Sequence, residues 1–169
     1  MEELMGCDVV LLCGISGSGK TTLARRLAGR GFEHLSLDGI MWDEFGDFAP
    51  EEFVNYRDRA ESLLTDRLRQ AVASGKRAVV DATLCKRAKR DAYRALVASL
   101  GASCCLVYCH ADETTLRERL RRRNVSPGRE AAVVTDEMLD KFLAGFQPPM
   151  DDESHVDATS LLREPYTSE

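Results

Sequence analysis

Short, continuous apolar runs alternate along this chain with longer stretches of helical periodicity. The run 8–13 (DVVLLC) has the length and character of a strand buried on both faces. In 21–31 (TTLARRLAGRG), Leu23, Ala24, Leu27 and Ala28 recur at helical spacing, and Gly31 is a stop signal. The same alternation continues. Strands are predicted at 34–37, 77–82 and 103–109, with a short fifth at 155–158. Helices are predicted over 50–75 (opened by Pro50 and closed by Gly75), 86–101, 112–124 and 135–146, and the segment 125–132 reads as a breaker-rich loop. Strands that alternate with helices imply right-handed crossovers and a parallel sheet covered on both faces, an α/β fold. At 169 residues the chain is expected to be one domain with its core over about 8–158.

The first strand-to-helix junction carries chemistry. Gly14-Ile-Ser-Gly-Ser-Gly-Lys-Thr21 satisfies G-x-x-x-x-G-K-[ST] and lies between a strand and a helix, the context that gives the motif its meaning. Glycine backbone lets N–H groups turn toward a polyphosphate without Cβ clashes, and the helix N-terminus adds partial positive charge. Gly14, Ser16, Gly17, Ser18, Gly19, Lys20, Thr21 and Thr22 are therefore the candidate nucleotide-binding residues. Lys20 reaches the outer phosphates and the Thr21 hydroxyl ligates magnesium.

Phosphoryl transfer needs more than binding: a metal-holding carboxylate, a carboxylate at the acceptor hydroxyl, and cations over the transferred group. Asp81 closes the third apolar strand and is the candidate magnesium residue, directly or through water. Asp38 follows the second strand at an Asp-Gly pair. In an open α/β sheet both would stand on the rim where the phosphate loop lies. In RERLRRRN (117–124), Leu116 and Leu120 face a core, while Arg119 and Arg123, four apart, share another face. With Pro127 and Gly128 following, residues of about 117–135 read as a lid that brings these arginines over the phosphates. Trp42, Phe45, Phe48, Phe53 and Tyr56 cluster near the long 50–75 helix. Most are expected to pack it onto the sheet, with Trp42 the exception that meets an acceptor.

Charge and cysteines narrow the picture. A net charge of −5 disfavours an extended nucleic-acid surface without excluding a local basic pocket. The six cysteines include no C-x-x-C pair, and several lie in apolar runs where cysteine behaves as a small hydrophobe; neither disulfides nor a structural metal is expected. No signal peptide or run long enough to span a membrane is evident, so the expected compartment is the cytoplasm.

Together LLCGISGSGKTTLARRLAGRG, LSLDGIMWDEFGDF, RAVVDATLCKRAKRDAYRALVASLGA, LRERLRRRN and DKFLAGFQPP resemble the AAA_33-type kinases, small P-loop proteins related to the kinase domains of polynucleotide kinase, zeta toxins and chloramphenicol phosphotransferase. The resemblance implies a nucleotide-kinase fold, a three-layer P-loop domain whose five-stranded parallel sheet has order 2-3-1-4-5. It implies Mg²⁺ and ATP as cofactors, Asp38 as the residue at the acceptor hydroxyl, Asp81 as the aspartate of the metal strand, Arg119 and Arg123 as lid arginines, and Arg90 as a recurrent arginine near substrate. ATLCKRAKRD departs from the aromatic segment common after the metal strand and is closer to the Asp-x-Thr form of the polynucleotide kinase branch. The expected activity is γ-phosphoryl transfer to a hydroxyl of a small molecule, by a monomer or homodimer. A polynucleotide or nucleoside 5′-hydroxyl kinase, a nucleotide-dependent regulatory ATPase without an acceptor, and a toxin-like kinase acting on a nucleotide sugar stay open as alternatives.

Overall fold

Val9–Cys13 forms β1, and all five residues are completely buried. Such a strand can only sit inside a sheet with both faces covered, and the computed structural model places it there. The structure describes residues 1–46, 53–125 and 133–163. After α1 (Glu2–Met5) and β1 come α2 (Lys20–Ala28), β2 (Glu33–Ser36), α3 (Leu37–Phe45), α4 (Phe53–Ala73), β3 (Ala78–Asp81), α5 (Arg87–Ser99), β4 (Cys104–Tyr108), α6 (Glu113–Val125), α7 (Asp136–Gly145), β5 (Val156–Asp157) and α8 (Thr159–Arg163). The sheet is parallel throughout, in the order β2-β3-β1-β4-β5. This is the expected topology, and each strand lies within a residue or two of its expected span.

Alternate residues of β1 face opposite layers. Val9, Leu11 and Cys13 pack with α3, α4 and α5; Val10 and Leu12 pack with α2 and α8. A third apolar cluster joins Leu116 and Leu120 of α6 to Leu139 of α7, and it includes Ile15 of the phosphate loop. Helices α6 and α7 are thus seated on the phosphate loop.

Three elements depart from the sequence reading. Leu37–Phe45, for which no element was expected beyond the strand at 34–37, is a helix because Ser36 caps it: its Oγ accepts from the Gly39 amide at 3.1 Å and turns the chain directly from strand to helix. The terminal helices α1 and α8 were not expected. Cys7 and Cys105 are joined as a disulfide with Cα atoms 6.1 Å apart, contrary to the expectation that every cysteine is free. Both lie in the apolar layer between α2 and the sheet, so the hydrophobic character that hides them also brings them together. The cysteines therefore cease to argue for a reducing compartment.

Candidate active site

The sheet turns its strand ends toward one cavity of about 690 Å³. The loop between β1 and α2 supplies its floor. Gly14 has φ +152°, and a Cβ there would collide with the Cys109 carbonyl oxygen and the Ser18 hydroxyl. Gly19, at the start of α2, has φ +104°, and a Cβ would meet Leu162 of α8 at 2.9 Å. The loop is thus held where only glycine fits. Ser18 is buried, with no hydrogen-bond partner for its hydroxyl among the described residues. Gly14 and Ser18 shape the loop from beneath, whereas Ser16, Gly17, Gly19, Lys20, Thr21 and Thr22 line the cavity.

Lys20 is buried, and its ammonium donates to the Ile15 carbonyl at 3.0 Å. Asp81, from the end of β3, stands opposite. Burial raises its pKa, but the hydrogen bond from His34, the charge of Lys20 and the Thr21 hydroxyl outweigh that pull, so it titrates below an ordinary aspartate. Asp81 is therefore a carboxylate beside the threonine hydroxyl, the donor set a divalent cation needs at this place. A glycine-only loop, a buried lysine, a helix N-terminus and this carboxylate–hydroxyl pair fit a metal–polyphosphate group by their chemistry.

Asp38 lies in the first turn of α3 and opens onto the same cavity. Water reaches it, yet protein walls it closely. That burial and the charge of Asp81 push its pKa up, against Lys20, Arg57 and Arg123, and the net direction is upward. Arg119 and Arg123 reach the cavity from α6, and Arg119 donates to the Gly17 carbonyl at 3.1 Å. Their neighbours on α6 are engaged elsewhere: Arg117 and Arg121 bridge to Asp136 of α7 at 3.1 and 2.9 Å. The loop 126–132, with Pro127 and Gly128, lies outside the described residues.

Two expected substrate residues are placed away from the cavity. Trp42 is one turn along α3 from Asp38, half-buried, and is not among the residues lining the cavity. Arg90 is completely buried in α5. Its guanidinium meets the Glu153 carboxylate through Nε at 2.7 Å and Nη2 at 2.6 Å, and Nη1 donates to the carbonyls of Leu84 and Gln147. With its fork used in this way Arg90 has nothing to offer a substrate; it pins the FQPP segment and the loop after β3 to α5. Phe45 stacks on Tyr56 with centroids 4.5 Å apart and both pack on the core, as expected of most of that aromatic group. Phe48, Pro50 and the Phe53 side chain lie outside the described residues.

The cavity also holds residues that sequence reasoning missed. Ser36, Thr83, Arg25 and Leu162 line it, and His34 stands behind Asp81. Ser36 alone carried a signal, as an N-cap before Asp-Gly. The others depend on contacts between distant segments.

The model of the AAA domain family AAA_33 matches residues 9–149. The chain belongs to the AAA_33 family. Searched against curated proteins, it finds no match. Among solved structures, this AAA_33 domain is similar to a presumed kinase from Chloroflexus aurantiacus (TM-score 0.71, 20% identity, covering 93% of this chain and 91% of that one). It is also similar to a sugar kinase from Janibacter sp. HTCC2649 (0.65, 22%, 93% and 86%). A third is a gluconokinase from Sinorhizobium meliloti 1021 (0.59, 21%, 88% and 79%). At these identities the likeness establishes the kinase-like P-loop fold. No helix among the described residues is long and apolar enough to cross a membrane.

Proposed function

We propose that this chain is an ATP-dependent phosphotransferase that moves the γ-phosphoryl group of Mg-ATP to a hydroxyl of a small molecule, working in the cytoplasm, where ATP is supplied. The observation that carries this reading is Asp38: a carboxylate of raised pKa that opens onto the cavity lined by Lys20, Thr21 and Asp81. A nucleotide-dependent switch needs the loop and Asp81 but has no use for Asp38.

The roles follow from chemistry. The loop amides and Lys20 hold the phosphates. Thr21 and Asp81 hold the magnesium ion, which when bound neutralises charge on the phosphate oxygens. Asp38 accepts the proton of the acceptor hydroxyl, a task suited to a carboxylate more basic than usual. Arg119 and Arg123 stabilise charge on the moving group. Residues 117–135 serve as the lid, with α6 and α7 tied together by Arg117 and Arg121 so that they move as one piece. The residues that carry these roles all lie within the single domain over about 8–158, acting as a monomer or a homodimer.

The test is Mg-ATP turnover with a panel of sugars, sugar acids, nucleosides, 5′-hydroxyl oligonucleotides and nucleotide sugars. Acceptor-stimulated turnover is expected, and Asp38→Asn is expected to lower it by roughly 10²- to 10⁴-fold with ATP affinity retained. Because Asp38 protonates above the usual aspartate range, turnover should fail on the acidic side at a higher pH than an ordinary aspartate would give. Hydrolysis indifferent both to every acceptor and to Asp38→Asn would replace the kinase reading with the switch.

A further inference from the structure

His34 has no part in the reaction as described, yet it touches the carboxylate on which the metal chemistry depends. It projects from β2, one strand outward from β3, and its Nε2 lies 3.2 Å from Asp81 Oδ2. The Asp81 side chain is 6% exposed and that of His34 19%, so the contact is shielded from bulk water. A carboxylate oxygen accepts, so Nε2 of His34 carries the proton and donates. His34 does not line the cavity. It acts from behind, on a residue that does.

We propose that His34 is a positioning residue for the metal site: it ties down one oxygen of Asp81 so that the carboxylate keeps a fixed edge toward Thr21. The physical reason is competition. An aspartate beside a buried lysine has a nearer use for its charge than a metal ion, namely direct pairing with the ammonium. In this structure Lys20 instead donates to the Ile15 carbonyl, and Asp81 takes His34 and the Thr21 hydroxyl. Without a donor at Oδ2 the carboxylate is free to rotate toward Lys20. That rotation would withdraw a metal residue and a phosphate residue in one movement. The role holds for the neutral imidazole as for the charged one, since either donates through Nε2. Partners that hold a metal-binding carboxylate in place are commonly worth roughly tenfold or more in metal affinity.

This inference rests on the Mg-ATP reading and is tested by binding rather than turnover. ATP affinity is measured by calorimetry in EDTA, and then as a function of added Mg²⁺, on wild type, His34→Leu and His34→Gln. Thermal unfolding of each metal-free protein is recorded alongside. His34→Leu is expected to bind ATP in EDTA nearly as wild type does, but to need roughly tenfold more Mg²⁺ for half of the metal-dependent tightening. His34→Gln, whose side-chain amide can donate to the same oxygen, is expected to recover most of that loss. Unchanged Mg²⁺ dependence in His34→Leu would overturn the positioning role and leave the nucleotide reading intact. Equal losses in both variants, together with early unfolding, would overturn it in favour of packing. A wild type that binds no ATP would overturn both readings.

Discussion

Helices α5 and α6 both carry arginines four residues apart, and the fold uses them in opposite ways. In α5, Arg90 and Arg94 converge on one buried carboxylate, Glu153, at 2.6 and 2.7 Å, and Arg90 also takes two backbone carbonyls. In α6 the pairs alternate around the helix: Arg117 and Arg121 meet the acidic residues of α7, while Arg119 and Arg123 face the cavity. The spacing is the same, so the spacing cannot decide the role. What decides it is where the guanidinium is turned. One that is spent on a buried carboxylate and backbone carbonyls holds the fold together; one that lines a cavity with phosphate-binding chemistry is placed to meet a ligand.

The sharpest way to break this contrast is to remove each kind in turn. Arg119→Ala and Arg123→Ala should lower acceptor-stimulated turnover by about 10³-fold, the lower end of the range for arginines acting on a transferred phosphoryl group, while the unfolding temperature stays close to wild type. Arg90→Met should do the reverse. It leaves Glu153 buried with part of its partnership gone, which typically costs about 3–5 kcal/mol of stability, read by urea unfolding, while the folded protein keeps its ATP affinity. If Arg90→Met kept its stability but lost turnover with acceptor, Arg90 would return to the substrate side and the contrast would collapse.

The sequence was informative where chemistry and periodicity are local. The phosphate loop, β1 and the parallel α/β class need only nearby residues and the rules of parallel sheets; the strand order came with the family resemblance. Arg119 and Arg123 were separable from the leucines by helical spacing alone. Features set by distant partners were silent. Arg90 sits in KRAKR, a cluster that reads as a solvated face, and only the approach of Glu153, 63 residues on, turns it inward. His34 meets Asp81 across two strands and 47 residues, and Cys7 meets Cys105 across 98. Helix α3 was hidden for a different reason. Leu37, Gly39, Ile40 and Met41 are all buried, so the segment lacks the polar face that gives a helix its period, and Asp-Gly mimics a turn.

The smallest expected effect concerns acid. The hydrogen bond from Arg90, against burial and together with Arg94, holds the Glu153 carboxyl at about 2, below its ordinary 4.5. Between those values the unfolded chain binds a proton that the folded protein does not, so this contact stabilises fully above the ordinary value and fades as pH falls toward the folded one. Other carboxyls, Asp157 among them, are also held low, so the decline of the wild type alone identifies nothing. The difference does. Glu153→Gln keeps the shape and loses the charge; it should unfold at a lower temperature than wild type at neutral pH, and the gap should narrow as pH drops through the window from 4.5 to about 2. Arg119→Ala, measured in the same way, should run parallel to wild type, because among the described residues its guanidinium donates to a carbonyl of the phosphate loop rather than to a low-titrating carboxylate. A constant gap for Glu153→Gln would mean that Arg90 and Glu153 are held by shape rather than charge, and the division between the two helices would then rest on burial alone.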